Sequence, residues 1–287
     1  MKILVTGVKG QLGFDIMREL SERGFNDVIG IDRDELDITD KNAVHKFIEE
    51  LNPDVIMHNA AWTAVDKAEE MRESCYNVNV LGTRYISESA EKIGAKLVYI
   101  STDYVFDGEG EKFFEVDDKK APLSYYGKTK YEGELEASKC SKLFIVRISW
   151  VFGINGNNFI KTMLKLAETR TELSVVCDQI GSPTYTYDLS KLLCDMIVTE
   201  KYGTYHATNE GECSWADFAK KIFEIAGKTM KVNPVTTKEY LSMVTQQAIR
   251  PLNSRMSKTS LDLAGFNRLP TWEDATERFI KIELNKE

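Results

Sequence analysis

Short apolar runs alternating with helix-period segments set out the plan of this chain. Residues 2–6, 27–32, 54–58, 96–100 and 143–148 are strand-sized and rich in Ile, Val and Leu. Between the first two, Leu12, Ile16, Met17 and Leu20 share one side of a helical pattern that ends near Gly24. A loop at 37–40 leads into a helix at 41–51, with Thr39 or Asp40 as N-cap and Pro53 closing it. A long helical region covers 66–93, and another helix opens at 124, just after Pro122. Strand and helix alternate throughout, which predicts an α/β fold with a doubly wound parallel sheet covered on both faces.

After Trp150 the rhythm loosens. Helices are predicted near 159–167, 187–198, 214–226 and 271–284, with strands near 173–177 and 204–207. The division that follows is a nucleotide-binding domain at 1–155, with 172–200 returning to it. A smaller C-terminal substrate lobe is expected from 156–171 and 201–287.

Composition narrows the partners. The 287 residues carry a net charge of -8, with 43% hydrophobic and 29% charged positions. That is an ordinary globular composition, and its acidic balance speaks against nucleic acid or an anionic membrane. No apolar run approaches a membrane span, and Gly7 interrupts the N-terminal run too soon for a signal peptide. A cytoplasmic protein is expected. The five cysteines, Cys75, Cys140, Cys177, Cys194 and Cys213, lack C-x-x-C spacing, so neither a zinc site nor a disulfide framework is predicted. With three histidines a histidine-rich metal site is not expected either, and His58 at a strand end reads as structural.

Chemistry enters at the strand ends. The first strand runs into Gly7, Gly10 and Gly13, spaced G-x-x-G-x-x-G, with a helix behind. Bare backbone N–H groups at such a helix start can face a pyrophosphate, and glycine leaves room for it. The second strand ends at Asp32, where a carboxylate would hold an adenosine ribose, while Arg33 could instead accept a 2'-phosphate. NADH and NADPH both remain open. Asn59, Ala60 and Ala61 follow the third strand; small residues there let a flat cofactor approach, or let strand and helix pack tightly. Tyr126 and Lys130 lie four apart on the helix opening at 124. Phenol and ammonium would share one face, and a nearby cation would lower the phenol pKa.

Together the glycine turn, Asn59-Ala60-Ala61, Thr102 after the fourth strand and Tyr126-x-x-x-Lys130 resemble the extended short-chain dehydrogenase/reductase family, which has a Rossmann-type sheet. Longer strings are similar to its dTDP-4-dehydrorhamnose reductase group: GQLG at 10–13, NAAWTAVDKAE at 59–69, STDYVFDG at 101–108, YGKTK at 126–130, SWVF at 149–152, and Arg250, Pro251, Asn253 and Ser254. The resemblance implies that Tyr126 donates a proton to the carbonyl being reduced. Lys130 would lower its pKa and hold the nicotinamide ribose, and Thr102 would orient the carbonyl. It implies cofactor contacts at Gly7, Gly10, Gln11, Leu12, Gly13, Asp32, Arg33, Asp37, Ile38, Ala60, Ala61, Thr63 and Asn79. Substrate-side positions would be Val65, Thr102, Asp103 and Trp150, with Asn158, Gln179 and Arg250 as further ones that could equally be loop or capping residues.

The implied reaction is reduction of a 4-keto group on a dTDP-linked deoxyhexose by NADH or NADPH, giving dTDP-L-rhamnose. Two rivals share the scaffold: a nucleotide-sugar epimerase or dehydratase, and a non-catalytic subunit like the regulatory subunit of methionine adenosyltransferase. Thr102, Tyr126 and Lys130 together favour an enzyme. Some relatives dimerise with Mg²⁺ held by surface carboxylates, but no metal-spaced acid cluster stands out here, so a homodimer and a use of Mg²⁺ are left open.

Overall fold

Six strands form the central sheet: β1 (Ile3–Thr6), β2 (Val28–Ile31), β3 (Val55–His58), β4 (Lys96–Thr102), β5 (Leu143–Ile148) and β6 (Gly203–His206). Their order is β6-β5-β4-β3-β1-β2, and every neighbouring pair is parallel. The computed structural model describes residues 1–244 and 248–284. Alternation along β1 shows why both faces need covering. Ile3 and Val5 pack into one buried cluster and Leu4 into another.

Helix α1 (Gln11–Glu22) packs Ile16 and Leu20 onto the first cluster. Helices α2 (Lys41–Leu51) and α3 (Thr83–Ile93) supply Val44, Ile48, Ile86 and Ala90 to the second. Asp40 proves to be the N-cap of α2, accepting from the Asn42 and Ala43 N–H groups. The long helical region before α3 is broken into Val65–Glu70, Arg72–Tyr76 and a π-helical turn, Asn77–Gly82. Helix α4 (Tyr125–Ala137) follows, capped by Ser124, and α5 (Thr186–Ile197) lies against α1. Because β2 and β3 flank β1, the chain changes direction beside β1, and a crevice opens at the carboxyl ends of the strands there.

Two expected placements are corrected. The strand near 173–177 was expected in the main sheet, but Glu172–Val176 pairs with Lys231–Val235 in a separate two-stranded sheet. Along most of it one face is buried: Leu173 and Val175 are buried while Glu172 and Ser174 are exposed, and only at Val176 does the other face turn inward. That pattern suits a sheet packed on one side, and Leu173 and Val175 join Phe152, Phe218 and Phe279 in one buried cluster. Conversely, residues 203–206 were assigned to the lobe and are instead the edge strand β6, with Tyr205 packed against Phe144 of β5. Among the described residues no helix is long and apolar enough to cross a membrane.

Candidate active site

A cleft of about 970 Å³ opens at the carboxyl ends of β1, β2, β3, β4 and β5. Its floor begins at the glycine turn. Gly7 has a φ of +71°, and a Cβ there would stand 2.9 Å from Ala60. A Cβ on Gly13 would stand 2.2 Å from the Gly7 carbonyl oxygen. Only glycine lets the chain turn this tightly beneath a ligand. Helix α1 starts at Gly10 with no side-chain cap, so its first N–H groups face the cleft.

Thr6, which the sequence reading passed over, ties this turn to the next strand. Its hydroxyl meets His58 Nδ1 at 2.9 Å and accepts the Asn59 and Ala60 N–H groups at 3.1 Å each. Ala60, Ala61 and Thr63 are thereby set beside Gly7 along the cleft. His58 also contacts the Thr83 hydroxyl and is held neutral, its pKa pushed down to about 3 by burial and the nearby Lys130 charge. At the far end Asp32 accepts the Lys9 N–H at 3.0 Å and the Arg33 N–H at 2.8 Å. Asp37, Ile38 and Arg33 line the same end.

The β4 exit and the start of α4 supply the reactive groups. Thr102 is buried; its hydroxyl donates to Asp103 Oδ1 at 2.9 Å and accepts the Tyr104 N–H at 3.3 Å, and Thr102 and Tyr126 both line the cleft. Ser254 also bonds Asp103, whose pKa burial raises to about 6. Burial raises the Tyr126 phenol as well. This is opposite to the lowering by Lys130 expected from the i,i+4 spacing. Lys130 instead extends into the sheet edge, where its ammonium donates to the Ile100 carbonyl at 2.7 Å and lies 4.2 Å from the Tyr99 ring centre. Burial lowers its pKa to about 7, with Glu134 opposing the shift. An i,i+4 register aligns the two Cβ atoms, but the long lysine stem takes its charge to a carbonyl.

Val65, Asp103 and Trp150 line the cleft, and Trp150 also walls an adjoining pocket of about 280 Å³ with Trp215 and Phe159. Trp150 holds a left-handed backbone, φ +49°, and stacks on Trp215 at 3.8 Å between ring centres. Gln179 and Arg250 line this second pocket rather than the cleft. Gln179 donates to the Thr237 hydroxyl, and Arg250 grips both oxygens of Asp66 at 3.1 and 2.8 Å.

Two expected contacts lie outside both spaces. Asn79 is buried in the π-helical turn; its side chain binds the Trp62 N–H at 2.8 Å, the Trp62 carbonyl and the Thr129 hydroxyl, so it pins the 59–64 loop to α4. Asn158 caps the helix Phe159–Leu166 and donates to Gln11 Oε1 and the Gly153 carbonyl. Each supports a cleft residue without facing the cleft. Tyr104, inside the string at 101–108, was missed although it lines both spaces. Glu69 was missed too; it accepts the Tyr125 N–H at 2.7 Å and anchors the start of α4.

The residues present fit a dinucleotide. The glycine cradle excludes side chains, the α1 N-terminus is uncapped, and Asn59 Oδ1 is buried at the cleft with no partner among the described residues. Among the described residues no group of three or more His, Cys, Asp or Glu could hold a metal ion.

Parallel sheet, glycine turn and the Thr-Tyr-Lys edge define a Rossmann-type, dinucleotide-binding α/β protein. The chain belongs to the RmlD substrate binding domain family, whose model matches residues 1–284. A dTDP-4-dehydrorhamnose reductase of Aggregatibacter actinomycetemcomitans is 42% identical to it, covering 96% of each chain. The crystal structure of a dTDP-4-dehydrorhamnose reductase from Clostridium acetobutylicum superimposes with a TM-score of 0.94 at 42% identity, covering 100% of both chains. That of the Bacillus anthracis dTDP-4-dehydrorhamnose reductase in complex with NADP gives 0.92 at 43% identity, covering 97% of this chain and 98% of that one.

Proposed function

We propose that this protein reduces the 4-keto group of dTDP-4-dehydro-L-rhamnose to dTDP-L-rhamnose with NADH or NADPH, making a nucleotide sugar for cell-surface polysaccharide in the cytoplasm. The observation that carries the reading is the placement of Thr102 and Tyr126 together on the cleft wall, with the Lys130 ammonium bonded to the Ile100 carbonyl behind them. When bound, the nicotinamide supplies hydride to the carbonyl carbon.

Thr102 donates to Asp103, and the Tyr126 phenol, kept protonated by burial, holds the proton to be delivered. A carbonyl oxygen placed between the two hydroxyls receives the Tyr126 proton as the alkoxide develops. Its hydrogen bonds strengthen as charge builds, which favours the transition state over the bound ketone. Lys130 sets a positive charge below this oxygen at no cost in water-exposed motion, because Ile100 already fixes its direction. Gly7, Gly10, Gln11, Leu12 and Gly13 would hold the pyrophosphate, Asp32, Arg33, Asp37 and Ile38 the adenosine, and Ala60, Ala61 and Thr63 the nicotinamide half. Val65, Asp103 and Trp150 would bound the sugar, with Gln179 and Arg250 further along the substrate.

The test is to add the 4-keto sugar nucleotide and follow NADH and NADPH oxidation separately, identifying the sugar product. One reduced cofactor consumed per dTDP-L-rhamnose formed is expected. An isomerised or dehydrated product with no net oxidation would replace this reading with an epimerase or dehydratase.

A further inference from the structure

Tyr104 and Trp150 are the two residues that line both the cleft and the aromatic-walled pocket beside it. A nucleotide sugar with its carbonyl at Tyr126 would reach that pocket with its base, between Trp150, Trp215 and Phe159. What spans the junction is then the diphosphate. We infer that Tyr104 is a substrate-positioning residue whose phenol donates a hydrogen bond to the diphosphate of the nucleotide sugar. The inference rests on the functional reading above.

The Tyr104 main chain is fixed on both sides. Its N–H donates to Thr102, and a Cβ at Gly127 would stand 2.3 Å from its carbonyl oxygen. Its ring meets the Tyr126 ring edge-on at 5.5 Å, so the side chain stands beside the reacting end. Among the described residues its hydroxyl has no hydrogen-bond partner, although the side chain is half-buried. A hydroxyl without a protein partner, on the wall shared by both spaces, is free to donate to a ligand that spans them. Burial keeps the phenol protonated, and on the same pocket wall stands the Arg250 guanidinium, paired with Asp66. A fixed neutral donor suits an ionised phosphate oxygen.

Tyr104→Phe deletes the hydroxyl and keeps the ring. The KM for the nucleotide sugar and the dissociation constant of free dTDP should each rise about tenfold or more, as for a hydrogen bond to a charged group. Affinity for thymidine, which lacks the diphosphate, should not move, and kcat should change by less than about threefold. The melting temperature should hold or rise, because no protein partner is lost. Unchanged dTDP affinity, an equal loss for thymidine, or a fall confined to kcat would each overturn the inference. A wild-type protein that neither binds dTDP nor oxidises NADH or NADPH would instead overturn the functional reading beneath it.

Discussion

The Lys130 ammonium donates to the Ile100 carbonyl at 2.7 Å, two residues before Thr102, so α4 and the β4 exit are joined by a buried charge. Burial depresses that lysine's pKa from 10.5 to about 7. The unfolded chain therefore binds more protons between those values, and wild-type stability should rise with pH from about 7 upward. Lys130→Met removes the group that titrates. Its stability relative to wild type should be greatest near neutrality and decline toward pH 9.5 or so, while turnover collapses. Urea unfolding across this range measures the trend, and parallel curves for the two proteins would contradict it.

Tyr126→Phe should lower turnover by at least roughly a hundredfold, within the range attributed to general acids. The phenol oxygen is the atom removed, and the ring contact with Tyr104 remains. Dissociation constants for NADH and NADPH should stay within about threefold of wild type, since the ring and the helix backbone are kept. Steady-state rates near wild type would remove Tyr126 from the proton step.

Asp103 shifts the other way. Burial raises its pKa from 3.8 to about 6, against the bonds from Ser254 and Thr102. The native state thus binds more protons than the unfolded chain between those values, and wild-type stability should fall as pH rises through that window. Asp103→Asn keeps the shape and should abolish this fall, a difference on the order of 3 kcal/mol above pH 6 at most. Denaturant midpoints that track wild type from pH 4 to 7 would refute the shift.

What was legible in the chain is what local spacing controls. The turn Gly7 to Gly13 and the pair Tyr126 and Lys130 lie within one element or one turn, so their positions follow from strand and helix periods. Lys231–Val235 was invisible because Pro234 and the polar Lys231 and Asn233 break any strand pattern; the pairing comes from Glu172–Val176, 59 residues earlier in register. Edge strand β6 is only four residues long, too short for pattern to tell which sheet it joins. The ion pair of Arg250 with Asp66 was not legible, because the partners are 184 residues apart and no spacing rule connects them. Asn158 did carry a signal, standing just before the helical run at 159, and its capping role was the more local reading.

Behind the reactive edge lies a second buried pair with its own consequence. Arg147 of β5 donates to Glu134 of α4 through Nε and Nη2, both at 2.8 Å, and Ser101 donates to the same carboxylate at 2.5 Å. Arg147 and Glu134 are 3% and 5% exposed, so neither charge can turn to water. Arg147 also donates to the Val116 carbonyl and touches His206 Nε2, which burial and this guanidinium keep neutral. Glu134→Leu leaves the guanidinium unpaired and should cost about 3–5 kcal/mol. Adding Arg147→Met to that variant removes the stranded charge and should recover most of the loss, because a buried ion pair and an apolar pair of similar volume are often close in stability. A double-mutant cycle by chemical denaturation decides it: losses that simply add would mean the two side chains act independently, against the bidentate geometry.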